Sequence, residues 1–197
     1  MPRLKREPEL FPDGIFGLAE GDYPWWVAHT LSRQDKALAR YLMPVGVPFY
    51  LPYREQRTQR EGRTYVSYLP LFPGYVFFRG SAAHRRAALR SNLIIKVLEV
   101  MDQRLLAGEL LQIRRLQELG ADLVPYQDLA PGDPVGITDG PFKGYTGVVL
   151  RRQGRLRLLV SISMLRQTVA VEFERNVVTP ARVDRAYRQR NRSATVS

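Results

Sequence analysis

Apolar and polar positions along the chain fall into two textures. From residue 23 to about residue 122, strand-length apolar runs alternate with amphipathic segments. From about residue 130 to 182, short apolar runs recur at close spacing between Gly- and Pro-containing turns. The first run, Trp25-Trp26-Val27-Ala28-His29-Thr30, predicts a buried strand with His29 packed in the core. A helix starting at Ser32 is expected next, with Asp35 completing a capping box and Ala37, Leu38, Tyr41 and Leu42 on one apolar face. Met43-Pro44 ends it, because a residue before proline resists the helical region. Residues 48–53 read as a strand, the charged run 54–64 as a hairpin tip and residues 65–68 as the return. Leu71-Phe72-Pro73-Gly74 predicts a turn into a strand over 75–78, and Ser81 caps a second helix reaching about Leu89. A strand over 93–100 follows. A third helix is marked by Leu106, Leu110, Ile113 and Leu116 and stopped by Gly120.

The second texture predicts strands at 134–138, 147–151, 155–162, 168–173 and 176–178, a spacing that suggests a small barrel. Pro- and acid-rich residues 1–22 have no period and read as a flexible tail. Residues 123–129 read as a linker and 183–197 as a basic C-terminal tail. The domains expected are therefore 23–122 and 130–182.

Charge then narrows the partner. The chain has 197 residues, with Lys+Arg 30 against Asp+Glu 19, giving +11. The stretch 23–122 carries +7 of this (15 basic, 8 acidic), while 1–22 carries −2 (3 basic, 5 acidic). Residues 123–182 and 183–197 carry +3 each. Such a balance favours acidic partners, nucleic acid among them. The absence of Cys excludes disulfides, thiolate nucleophiles and Cys-based metal sites, and fits a reducing cytoplasm. The N-terminus lacks an apolar signal-peptide core, and the longest uncharged stretch, residues 64–78, is too short to span a bilayer. A cytoplasmic protein with no membrane partner is expected.

No catalytic constellation is visible. His29 and His84 lack metal-ligand spacing, so neither a metal nor another cofactor is expected. Residues 140–147, GPFKGYTG, are not a phosphate loop: Lys143 precedes Gly144, and a β run follows rather than a helix. Glu172 and Glu174 share one strand face, as a surface pair would.

Two segments carry the remaining information. In Pro70-Leu71-Phe72-Pro73-Gly74-Tyr75-Val76-Phe77-Phe78, prolines stiffen the entry to a strand and Gly74 permits a tight turn. This either holds Phe72 and Tyr75 near a surface or packs them all inside. In residues 132–149, GDPVGITDGPFKGYTGVV, a strand runs through a Gly-Pro turn and a Gly-x-x-Gly loop into a β-branched strand. The second segment resembles the KOW motif. The first, preceded by WWVAHT and a short helix, resembles the N-terminal domain of the NusG family of transcription elongation factors, with PLFPGY close to its RfaH-like paralogues.

The resemblance covers about residues 24–180. The fold class it implies is α+β: an N-terminal α/β sandwich with a four-stranded, largely antiparallel sheet flanked by helices, then a five-stranded SH3-like β-barrel. It implies a non-enzymatic elongation and antitermination factor, a monomer that binds the clamp helices of RNA polymerase, bridges the cleft and suppresses pausing. The polymerase-binding residues carried over are Trp26, Phe72, Pro73, Gly74, Tyr75 and His84. Arg33, Arg85 and Arg86 become candidates for contact with non-template DNA, or belong to a solvated face. The barrel is expected to recruit the termination factor Rho or a small-subunit ribosomal protein through Phe142, Met164, Leu165 and Arg166. Two rival readings remain: a KOW-containing RNA- or ribosome-binding module that does not act on polymerase, and an enzyme acting on nucleic acid.

Overall fold

The protein is described by a computed structural model that covers residues 7–19, 21, 23–126, 134–137, 146–152, 155–173 and 180–181. It divides into two compact units, Met1–Leu111 and Gln112–Ser197.

In the first unit the strands are β1 (Leu10–Phe11), β2 (Trp25–Thr30), β3 (Phe49–Tyr50), β4 (Tyr53–Arg60), β5 (Arg63–Pro70), β6 (Tyr75–Arg79) and β7 (Ile94–Leu98). Helices α1 (Asp35–Leu42), α2 (Ala82–Leu89) and α3 (Gln103–Glu118) separate or follow them. Five strands form one sheet in the order β1-β3-β6-β2-β7, every pair antiparallel. Side chains alternate across each strand. One sheet face therefore brings Ala28, Val76, Phe78 and Phe49 against Leu38, Ala39 and Leu42 of α1 and Ala88 of α2, all buried. The other face carries Trp25, Val27, Phe77 and Tyr50, covered in part by Phe16 at 5.7 Å from the Trp25 ring and 5.3 Å from the Tyr50 ring. Burying each Val, Leu or Phe among these contributes about 1.5–3 kcal/mol.

The sheet has five strands rather than the four expected, because part of the supposed tail belongs to it. Leu10 and Phe11 pair with Tyr50 and Phe49, and Ile15 is fully buried. The anchor is Arg79, itself buried. Its guanidinium donates to the carbonyls of Tyr23 (2.7 Å), Ile15 (2.7 Å) and Ala19 (3.4 Å). A guanidinium has five donors in a fixed fork, so one side chain holds the preceding segment at several points.

Two further expectations are corrected here. The hairpin expected here forms, but its tip is two residues rather than the run 54–64: β4 and β5 pair over their whole length and turn at Glu61-Gly62, with φ 50° and 71°. Positive φ at both central residues is what a type I′ two-residue hairpin turn requires, and glycine supplies one of them without strain. Helix α1 starts at Asp35 and not at Ser32, because Arg33 sits at φ 60° and breaks the helical path before Gln34. By contrast, Ser81 caps α2 as expected. Leu106, Leu110, Ile113 and Leu116 are the buried face of α3.

The second unit is an antiparallel sheet of six strands, in the order β13-β9-β10-β11-β12-β8, among the described residues. Here β8 is Leu123–Tyr126, β9 Pro134–Ile137, β10 Thr146–Arg152, β11 Arg155–Ile162, β12 Gln167–Phe173 and β13 Pro180–Ala181. The expected five-stranded barrel is thus met by a six-stranded sheet. Residues 123–126, read as linker, form its edge strand on β12. The strand expected at 176–178 lies outside the described residues. Among the described residues no helix is long and apolar enough to cross a membrane.

Candidate functional site

The turn before β6 is built by its sequence. Phe72 C=O accepts from Tyr75 N–H at 3.1 Å, with Pro73 and Gly74 between them and Gly74 at φ 84°. Proline at the second position and a positive-φ residue at the third are the requirements of a type II turn. The turn is then tied to its surroundings twice. Gly74 C=O accepts from Thr30 N–H (2.9 Å), and Gly74 N–H donates to Asp35 Oδ2 (3.1 Å). Asp35 is buried, and its Oδ1 accepts from the Thr30 hydroxyl at 3.0 Å. One carboxylate thereby joins the start of α1, the end of β2 and the turn.

This scaffold presents Tyr75. Its ring stacks on His29, centroids 5.1 Å apart and planes 20° from parallel. The two residues are direct cross-strand partners, and His29 also pairs with Lys96 of β7. Tyr75 and His29 are half-buried, Lys96 is exposed, and Pro73 projects from the turn. A register shift between His29 and Thr30 leaves Ile95 56% exposed beside this row. His29 Nδ1 is buried without a hydrogen-bond partner, so ring stacking and not hydrogen bonding at that nitrogen holds the imidazole. The expectation that His29 is a packed core residue is corrected: β2 alternates, and His29 falls on the face left partly open.

Of the other expected polymerase-binding residues, Pro73 and Gly74 form the turn beside Tyr75, whereas Phe72, Trp26 and His84 do not join its exposed surface. Phe72 is buried (1% exposed) and meets Phe77 edge-on at 5.9 Å, so its ring closes the core beside the site. Trp26 lies on the opposite sheet face from His29, partly buried against the α1 side. Its Nε1–H donates to Gly80 C=O at 2.8 Å. His84 acts locally. Its Nδ1 accepts from Ser81 N–H at 3.1 Å, completing the capping box of α2, and its ring lies 5.7 Å from Tyr23. Arg85 is half-buried with its guanidinium 5.5 Å above the Trp26 ring, whereas Arg33 and Arg86 are exposed. One of the three arginines named for DNA contact is thus engaged with a ring of its own domain.

In the second unit, Ser163–Leu165 form a single 3-10 turn between β11 and β12. Arg166 is exposed at φ 53°, and Met164 and Leu165 are half-buried. Phe142 lies outside the described residues, as does the Gly-rich stretch 138–145 around it. Among the described residues no group of His, Asp and Glu is placed to hold a metal.

Residues 23–104, from the approach to β2 to the first turn of α3, match the family model described as "NusG: Transcription termination factor nusG". Residues 23–104 thus form a NusG-family domain. The matched segment contains every element that builds the Tyr75 site, and the NusG family consists of transcription factors. Among solved structures, the chain is similar to one described as "Crystal Structure of MjSpt4:Spt5 complex conformation B", at 14% identity and a TM-score of 0.27, covering 81% of this chain and 99% of that one. None of the curated proteins matches it.

Proposed function

We propose that this chain, through its NusG-family domain, is a non-enzymatic elongation factor that docks on RNA polymerase through the open end of its first sheet. Tyr75 is the central contact, with His29, Pro73 and Ile95 around it. The observation that supports this reading is the half-exposed His29–Tyr75 stack, raised on a turn that three hydrogen bonds hold in place. A rigid aromatic surface loses little conformational entropy on binding and buries much area, which is how interface anchors work. Phe72 and Asp35 position that surface from beneath. Trp26, His84, Arg85 and Arg86 belong to a second contact region around α2, where Arg85 and Arg86, with Arg33 at the other end of the sheet, meet non-template DNA.

Binding across the cleft favours the elongating polymerase over the paused one in proportion to the factor's differential affinity for the two states. The second unit recruits a further partner, Rho or a small-subunit ribosomal protein, through the 3-10 turn that carries Met164, Leu165 and Arg166, with Phe142 of the KOW-like segment as a further contact. Single-round transcription with purified polymerase on a template with mapped pauses tests the reading. The protein is expected to shorten pause lifetimes and Tyr75→Ala to leave them near the factor-free values. Equal pause lifetimes with and without the native chain overturn it.

A further inference from the structure

The β4–β5 ribbon stands apart from the five-stranded sheet, and residues 55–66 are exposed along it. A lone two-stranded ribbon is marginal in water. This one is held at its base, where Lys36 Nζ donates to Tyr68 C=O at 2.6 Å and Leu71 N–H to Pro52 C=O at 2.7 Å.

Its register separates the charges by face. Cross-strand partners share a face, and alternate residues along a strand switch between faces. Tyr53 pairs with Pro70, Glu55 with Tyr68 and Arg57 with Val66, so Glu55 and Arg57 lie on one face. There they neutralise each other through a 2.6 Å ion pair. Arg54, Gln56, Thr58 and Arg60 lie on the other face, with Arg63 opposite Arg60 and Tyr65 opposite Thr58. That second face has three guanidinium groups and no carboxylate. The acidic Glu61 sits in the turn between the strands.

We propose that this second face is a binding surface for duplex DNA, independent of the polymerase contact at Tyr75. Arginines at the base and near the tip are about 20 Å apart at ~3.3 Å per residue, far enough to reach phosphates on both walls of a major groove about 12 Å wide. Between them, Gln56, Thr58 and Tyr65 present hydrogen-bonding groups of no fixed charge. A two-stranded ribbon fits the B-form major groove. The deep, narrow major groove of A-form RNA excludes it. Contacts of this kind are to phosphates, so binding is salt-dependent and indifferent to sequence.

The test uses the full chain and a labelled 20-base-pair DNA duplex of arbitrary sequence, titrated by fluorescence anisotropy between 50 and 200 mM salt. Loss of three phosphate contacts in R54Q/R60Q/R63Q is expected to reduce the slope of log Kobs against log salt by about 2.7 and to weaken binding more than about tenfold. A matched pair separates the faces without relying on the triple variant. Thr58→Glu and Gln59→Glu each add one exposed carboxylate at adjacent positions, so their net charges are equal. Thr58→Glu is expected to weaken binding about threefold or more and Gln59→Glu to change it less than about twofold. Equal effects of the two overturn the proposal, as does an unchanged slope in the triple variant. So does a loss seen with an RNA hairpin of the same length but not with the DNA duplex.

Discussion

Asp35 and Gly74, 39 residues apart, meet at 3.1 Å, carboxylate to backbone amide, and that contact fixes where Tyr75 stands. The same carboxylate accepts from the Thr30 hydroxyl. Asp35→Asn keeps the shape and places an amide N–H₂ group where one of the two donors points. Buried donors left unpaired cost about 1–3 kcal/mol each, so a loss of about 2–3 kcal/mol is expected. Chemical denaturation monitored by tryptophan fluorescence reads it, and a midpoint equal to the native one contradicts the assigned role.

Phe72 and Tyr75 are neighbours in one motif but differ in kind. Phe72→Ala opens a hole against Phe77 and is expected to cost about 3–5 kcal/mol, the range for large-to-small changes at buried aromatics. Tyr75→Ala removes a half-exposed ring and is expected to cost less than about 1.5 kcal/mol. Melting temperatures of the two variants, measured side by side, check the order. A Phe72→Ala protein as stable as Tyr75→Ala contradicts the burial of Phe72.

Gly80 is required by His84. A Cβ at Gly80 falls 2.5 Å from His84 Cγ, at a backbone φ of 143°. Gly80→Ala is therefore expected to displace the imidazole from Ser81 N–H and remove the His84 half of the α2 capping box, at about 1 kcal/mol beyond the backbone strain. His84→Ala loses the same interaction without the clash. A double-mutant cycle should accordingly be non-additive, with the double variant less damaged than the sum of the singles. Strict additivity rules out the steric coupling.

Tyr53 gives the fold an alkaline limit. Burial, and then the carboxylates of Glu7, Glu9 and Asp35, raise its phenol well above the ordinary 10.0. The folded state therefore keeps the proton that the unfolded state releases. The stability linked to Tyr53 is fully present below pH 10 and declines as pH rises above it. Tyr53→Phe removes that dependence. Thermal melts from pH 8 to 11 are expected to fall less steeply above pH 10 for Tyr53→Phe than for the native chain, and parallel curves contradict the assignment.

Much of this architecture is written in local patterns, and where those patterns mislead the causes are physical. Ser81 announces α2, Pro73-Gly74 announces the turn, and the 3–4 spacing of Leu106, Leu110, Ile113 and Leu116 announces α3. Those signals are local, and so are the hydrogen bonds and packing that realise them. The N-terminal strand is hidden because its support is distant: Arg79 reaches back to Ile15 across 64 residues, and nothing near Leu10 reveals this. The length of the ribbon is hidden because charge outweighs the β-branched and aromatic residues Thr58, Thr64, Tyr65 and Val66, which favour strands. Asp35 looks like a cap because its spacing from Ser32 allows it, whereas Arg33 at positive φ releases the carboxylate for Gly74 and Thr30. At the site, the motif points to the right turn but does not sort Phe72 from Tyr75. His29 is legible in principle: two-residue alternation along β2 sets it on the same face as Trp25 and Val27, at the end beyond the covering core.

The central claim is that the ring of Tyr75, backed by His29, is the polymerase anchor. The most direct measurement is equilibrium binding of core RNA polymerase to the full chain and to Tyr75→Ala, with circular dichroism confirming that the variant is folded. Truncating an interface anchor costs about 2 kcal/mol or more, so the variant is expected to bind at least about tenfold more weakly. A folded Tyr75→Ala protein that binds polymerase with native affinity contradicts the account.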